Sequence, residues 1–376
     1  MTIVDSLSRV DRLEWNALVS ENDPFARFEF LMALEESGSV SGRTGWVPRH
    51  ILIRDEGVLV AAVPLYLKSN SYGEYIFDWD WANASHRAGI PYYPKIVTSI
   101  PFTPVTGRRL LTGDKPLSEE ICRAVVDGIQ AIAKEYDASS IHMLFISKEE
   151  FDMFSGFDEF IPRITFQYHW KNSGYSSFQD WTSKFRARRR KTVQRERAAV
   201  AECGVTISAL GGAELTESHW AAIEELYLNT VERKHAHAYL RPDFFTRISE
   251  SFQDNILALV AEKDGEVVAM SLCFQSGGHL YGRYWGCRSE FKRLHFEMCY
   301  HRPIELCIDR GWVRFEAGAQ GEHKISRGLM PAATYSVHWI AHKGLHNAVE
   351  QATEMERKQS IRAMEILSER GPFHRG

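Results

Sequence analysis

The chain has no apolar run able to cross a bilayer. The longest, GVLVAAV at 57–63, stops at Pro64, whereas a spanning helix needs about 20 such residues. Its first residues, MTIVDSLSRVDRLEW, carry early acids and no apolar segment. No signal peptide is expected, and the cytoplasm is the expected compartment. The 6 cysteines form no CxxC pair, and none stands at metal-ligand spacing from a histidine. Reduced, buried thiols and no metal are the expectation. His235 and His237 make a single pair, too few ligands for zinc. Charge of one sign is missing too: the formal net charge is -4, so any hold on nucleic acid has to come from a local patch. GxSxG, a cysteine–histidine signature, a Walker loop and a dinucleotide fingerprint are all absent, which argues against covalent hydrolases and the common nucleotide folds. No segment is of low complexity.

What is present describes a globular protein of ordinary composition, 44% hydrophobic and 25% charged, over 376 residues. That length suits two domains. Two stretches are alike: DEGVLVAAVPLYL from Asp55 and KDGEVVAMSLCF from Lys263. Each has an acidic-glycine turn before a β-branched run, the pattern of a hairpin feeding a buried strand. A helical pattern (119–136) and a short strand (141–146) follow the first. Another helical pattern (296–309) and a strand (312–316) follow the second. Hairpin, strand, helix and strand thus occur twice, as expected of a duplicated α/β lobe.

Between the copies, Ser177 opens an N-cap pattern. A basic helix is predicted through Lys184–Arg197, with eight Lys or Arg against one Glu, ending at Gly204. Such a run is ordinarily a solvated face. Here its single sign would cost self-repulsion, which points Lys184, Arg188, Arg189, Lys191 and Arg195 toward phosphates. A further helix begins near Thr216, and a charged amphipathic helix runs from Leu345 to Arg370.

Two polar clusters carry the chemistry. EAGAQGEHK at 316–324 follows a predicted strand, and its small residues let backbone come close to a ligand. Deprotonating an amine needs a base, for which Glu316, Glu322 and His323 are candidates. A tetrahedral intermediate needs donors, for which Gln320 and Lys324 are candidates. Glu297 and Tyr300, with His301, are expected to share a helical face and offer an acid or base. Arg283 and Tyr284 lie on an aromatic strand, where an arginine needs an anionic partner. The second cluster lies in the excursion from about 69 to 101. Asp78, Asp80, Tyr92, Tyr93 and Lys95 are predicted to line a substrate wall, with Thr103 and Thr106 beside them. Trp79 and Trp81 are expected in the core.

The basic helix, LYGRYWG at 280–286, FEAGAQGEHK at 315–324, FDWDW at 77–81 and PFTPVTG at 101–107 together resemble the FemAB-like predicted N-acyltransferase family, over nearly the whole chain. The resemblance implies two tandem lobes of the acetyltransferase (GNAT) type. It also implies kinship to enzymes that load amino acids from aminoacyl-tRNA onto peptidoglycan precursors. The chain departs from acetyl-CoA users where a Q/R-x-x-G-x-G/A turn would hold a pyrophosphate. It reads GCRSEFKRLH at 286–295, without a glycine pair, leaving Arg288, Lys292 and Arg293 as possible phosphate ligands.

The expectation is therefore an α/β protein with GNAT-like lobes at 1–165 and 166–344 and a helical tail at 345–376. Direct acyl or aminoacyl transfer to an amine is the expected reaction. No cofactor is expected to be tightly bound. Acyl-CoA or aminoacyl-tRNA is the expected co-substrate, and a small molecule or cell-wall precursor the acceptor. The competing class is a non-catalytic GNAT scaffold that holds RNA or such a precursor.

Overall fold

The computed structural model describes residues 1–318 and 321–374. The chain divides into two compact units: Met1–Phe166 with Ala333–Ala363, and Gln167–Ala332 with Met364–Gly376. This differs from the continuous second lobe expected over 166–344. The strand Met330–Ile340 leaves the second unit and pairs antiparallel with Ser140–Ile146 of the first. Strand pairing, not chain order, allots it. The helix Lys343–Glu369 likewise passes from one unit into the other at Ala363.

In the first unit the predicted hairpin is His50–Asp55 against Val58–Val63. Pro64 cannot donate to a ladder, and beyond it the chain enters a second sheet as Leu65–Lys68, antiparallel to Lys95–Thr98. Lys95–Thr98 runs parallel to Ser140–Ile146. A parallel pair requires a crossover, and the helix Glu119–Glu135 lies in it, capped by the Ser118 side chain. Its Cys122, Val125, Val126, Ile129 and Ile132 pack with Ile96, Ile141 and Met143 as the buried core.

The second unit repeats the order. Ile256–Lys263, Glu266–Ser276 and His279–Cys287 form an antiparallel meander. Helical segments over 294–309 lead to Arg314–Glu316, parallel to His279–Cys287. Arg314–Glu316 pairs in turn with Ile161–Lys171. The pairing of the two parallel strands runs from His279–Arg314 to Tyr281–Glu316. The longer strand continues past that point and carries Trp285 and Cys287 to a cavity. The helix Glu217–Arg233, capped by Thr216, lies against this strand. Gly286 makes the approach possible, since a Cβ there would stand 2.3 Å from the Leu226 carbonyl oxygen. Among the described residues no helix is long and apolar enough to cross a membrane.

The basic helix is two helices, not one. Phe178–Ser183 ends before Phe185, and Ala187–Ala201 begins after the extended Arg186. Phe185 is spent on the core against Trp181 and Phe373, and a continuous helix could not turn it there. Six polar positions of the second helix face solvent, while Val193, Glu196 and Val200 are buried.

Candidate active site

The segment Glu297–His301 forms a π-helical turn, a wide turn that recurs at functional sites. It divides the face predicted for Glu297, Tyr300 and His301. Glu297 meets Arg197 at 3.1 Å and His301 meets Glu196 at 2.9 Å, both toward the basic helix. Tyr300 turns away from them and stands 2.9 Å from His323 Nε2. Burial pushes the Tyr300 phenol well above its ordinary range, so it stays protonated and can donate to His323. His323 is held below its usual value by desolvation and by the cations Arg327 and Lys324. At neutral pH the imidazole is therefore a free base.

Lys324 follows directly. Its Nζ donates to the Gly318 carbonyl at 2.7 Å, and burial lowers its pKa to about 8. The ammonium is still mostly charged at pH 7. Arg327, unnoticed in the sequence, organises this end of the site. It donates to the His323 carbonyl at 2.9 Å, lies 3.6 Å over the Phe296 ring and pairs with Glu196. The one acid in the basic run is thus the anchor that binds the helix to the site. That lone opposite sign was the available sequence signal.

A cavity of about 540 Å³ adjoins these groups, lined by three cations, Arg233, Lys292 and Arg293, by one acid, Glu290, and by Trp285, His295 and Phe296 among others. Two of its walls lead to the pair: His295 packs on Tyr300 with centroids 5.5 Å apart, and Phe296 on His323 at 6.1 Å. Burial, with the neighbouring cations, lowers His295 to about 4, so this wall is uncharged. Arg233 is aimed in from the end of its helix and bonds the Cys287 carbonyl. Arg288, the first of the three possible phosphate ligands, is taken up by Glu225 at 2.9 Å and Glu266 at 3.6 Å. Lys292 and Arg293 remain at the cavity. Arg233 joins them as a third cation, one that no motif or spacing singled out. Cys203, just beyond the basic helix, lies 3.9 Å from the Lys292 carbonyl, so the helix runs up to this loop. Arg188, Arg189, Lys191 and Arg195 of that helix are exposed, as is Lys184 before it.

Other predicted residues lie elsewhere. Glu316 is buried on its strand, 2.9 Å from Arg314 and 3.5 Å from His169. That ion pair, and not an amine, occupies it. Glu322 is exposed beside His323. Tyr284 packs its ring on Tyr227 at 5.5 Å, and Arg283 lies over Tyr284. Gln320 lies outside the described residues. Among the described residues no group of three or more His, Cys, Asp or Glu can hold a metal ion.

The wall predicted in the first unit is turned inward. Lys95 is fully buried and bonds Glu74 at 2.8 Å, Ser71 at 2.8 Å and also Asp78. Tyr92 donates to Asp78 at 2.7 Å, and Tyr93 pairs with Ser71 at 2.8 Å. Burial opposes the Lys95 charge, yet Glu74 and Asp78 outweigh it and hold its pKa above the ordinary value. Glu74 is raised by burial to about 7 and Lys68 lowered by burial to about 7. Next to them the cross-strand pair His142 and His338 stand 2.7 Å apart, nitrogen to nitrogen. Buried charges survive only when paired, and here Lys95 is paired with both carboxylates, with Lys68 3.9 Å from Glu74. Asp78, Tyr92 and Lys95 are therefore structural here and not a substrate wall. Thr103 is buried, its hydroxyl donating to Pro101, and Thr106 is half-buried. Asp80 is exposed. Trp81 is in the core as expected, but Trp79 is 37% exposed.

The model of the FemAB-like family, described as peptidoglycan biosynthesis/recognition, matches residues 6–375, and the chain belongs to that family. No curated protein matches it in sequence. Among solved structures, FemX is 12% identical, with a TM-score of 0.54 over 93% of this chain and 100% of that one. The C-terminal domain of a putative lysylphosphatidylglycerol synthetase from Agrobacterium fabrum is 8% identical, with a TM-score of 0.57 over 92% and 96%. L-PGS from Bacillus licheniformis is 10% identical, with a TM-score of 0.51 over 86% and 94%. At these identities the likeness is one of fold: mixed α/β, with the order hairpin, strand, helix and strand in each unit.

Proposed function

We propose that the chain is a transferase that moves an aminoacyl group from a nucleic-acid-bound ester to an amine of a cell-wall precursor, with the chemistry in the second unit. One observation carries this reading. The Tyr300–His323 pair is joined through His295 and Phe296 to a cavity holding three cations. Phosphates of the donor bind Arg233, Lys292 and Arg293, and its acyl carbon reaches the aromatic end. The acceptor nitrogen attacks that carbon, and the N–C bond forms. The amine proton passes to Tyr300 as the Tyr300 proton passes to His323 Nε2. Lys324 stabilises the oxyanion. Collapse breaks the ester C–O bond, and His323 returns a proton to the leaving ribose oxygen through Tyr300.

The exposed cations of Ala187–Ala201 favour a nucleic-acid donor over acyl-CoA. A CoA ester brings only a few phosphates, whereas a continuing polyanion uses the whole row. Membership of a family described by peptidoglycan biosynthesis supports the class of acceptor. The test is product formation with a pool of charged tRNA or acetyl-CoA as donor and a nucleotide-linked muramyl peptide as acceptor, read by mass spectrometry. Amide product with tRNA alone is expected. Product with acetyl-CoA alone would replace this donor, and none with either would remove the transferase reading.

A further inference from the structure

The loop before the helix Trp79–Arg87 alternates strictly. Glu74, Ile76 and Asp78 point in, while Tyr75, Phe77 and Trp79 point out, with Tyr72 beside them. The outward rings form one surface. Tyr72, Phe77 and Trp79 are 54%, 41% and 37% exposed. Tyr72 meets Trp79 edge-on at 5.2 Å, and Phe77 lies nearly parallel to Trp79 at 6.4 Å. Exposed apolar side chains normally occur singly, and a contiguous group marks a binding surface.

The surface is also rigid. The Tyr72 carbonyl accepts from Lys68 and from Trp46. The Phe77 carbonyl accepts from Arg163, itself held by both oxygens of Glu356. Inward Glu74 and Asp78 are tied to Lys95. The buried ion network is thus the foundation of an aromatic platform, and little ordering cost remains for a ligand to meet.

We infer that this platform binds a sugar ring, specifically a β-linked N-acetylamino sugar of a peptidoglycan glycan. The C–H face of a pyranose is apolar and weakly positive, which fits the negative face of an aromatic ring. Its hydroxyl rim needs a few polar groups, and the helix offers Asp80 and Asn83, both exposed, with Asn83 one turn after Trp79. Charge argues against polyanionic partners. The first unit has 27 Asp and Glu against 20 Lys and Arg, which disfavours RNA and anionic lipid. The choice of sugar rests on the family assignment and not on the transfer chemistry above.

The test uses tetra-N-acetylchitotetraose, an uncharged β-linked oligomer, with tryptophan fluorescence and saturation-transfer NMR on the full chain. Saturable binding is expected, weakened at least tenfold by Trp79→Ala and by Phe77→Ala, whose exposed rings can be removed without unfolding. His323→Ala should abolish transfer yet keep this binding, so failure of either reading shows separately. No binding to the parent chain, or binding indifferent to both ring deletions, overturns the inference. So does self-association or vesicle binding that depends on Trp79 in the absence of any sugar binding.

Discussion

His323 and Lys324 are neighbours in sequence with opposite needs. In the proposed transfer the base must be neutral and the oxyanion donor charged, and their environments separate the two. Desolvation and nearby cations keep His323 below its usual value, and burial brings Lys324 to about 8. The rate should rise with pH as His323 loses its proton below about 6.5, then fall above pH 8 as Lys324 loses its own. Single-turnover rates from pH 5 to 9 check this. Tyr300→Phe should lower the rate constant by about 10²–10⁴-fold, the range of a lost general acid–base group, with little change in donor affinity. An unchanged rate would remove Tyr300 from the proton path.

Among the elements, the helix Ala187–Ala201 has two faces with separate duties. Its buried side holds Glu196 against His301 and Arg327. Breaking a buried pair leaves uncompensated charge, so Glu196→Ala should cost about 3–5 kcal/mol of stability, read by urea unfolding. Its outer side presents cations to solvent. Reversing Arg188, Arg189, Lys191 and Arg195 to Glu should leave the melting temperature nearly unchanged. The same variant should flatten the salt dependence of tRNA binding, lowering the log–log slope by about 3 at roughly 0.7 per phosphate contact. An unchanged slope would show that RNA does not use this helix. The break at Phe185 accompanies its packing on Trp181 and Phe373, and the π turn at Glu297–His301 accompanies the parting of Glu297 and His301 from Tyr300.

Over the whole molecule, a formal charge of -4 conceals an asymmetry. The second unit has 25 Lys and Arg against 22 Asp and Glu, and the first is the acidic one. Two ligands should therefore separate in hydrogen-exchange footprints. Charged tRNA is expected to protect 184–195 and 288–296, and the chito-oligosaccharide 69–87. Protection of 69–87 by tRNA would contradict the assignment. Much of this organisation is legible in the chain order. The two hairpins, the capped helices from Ser118 and Thr216 and the basic run follow from apolar period and cap chemistry, which act within a few residues. The same local signals set the duplicated order of elements and the residue types on offer for catalysis. The pairing of Tyr300 with His323 spans 23 residues and that of Glu196 with Arg327 spans 131. No local propensity acts over such distances. Strand register and a widened helical turn bring Tyr300 to His323, spend Glu316 on Arg314, and face Lys95 inward while Trp79 faces out. Selection among the available residues belongs to the folded state, because burial and pairing depend on which distant segments the sheet brings together.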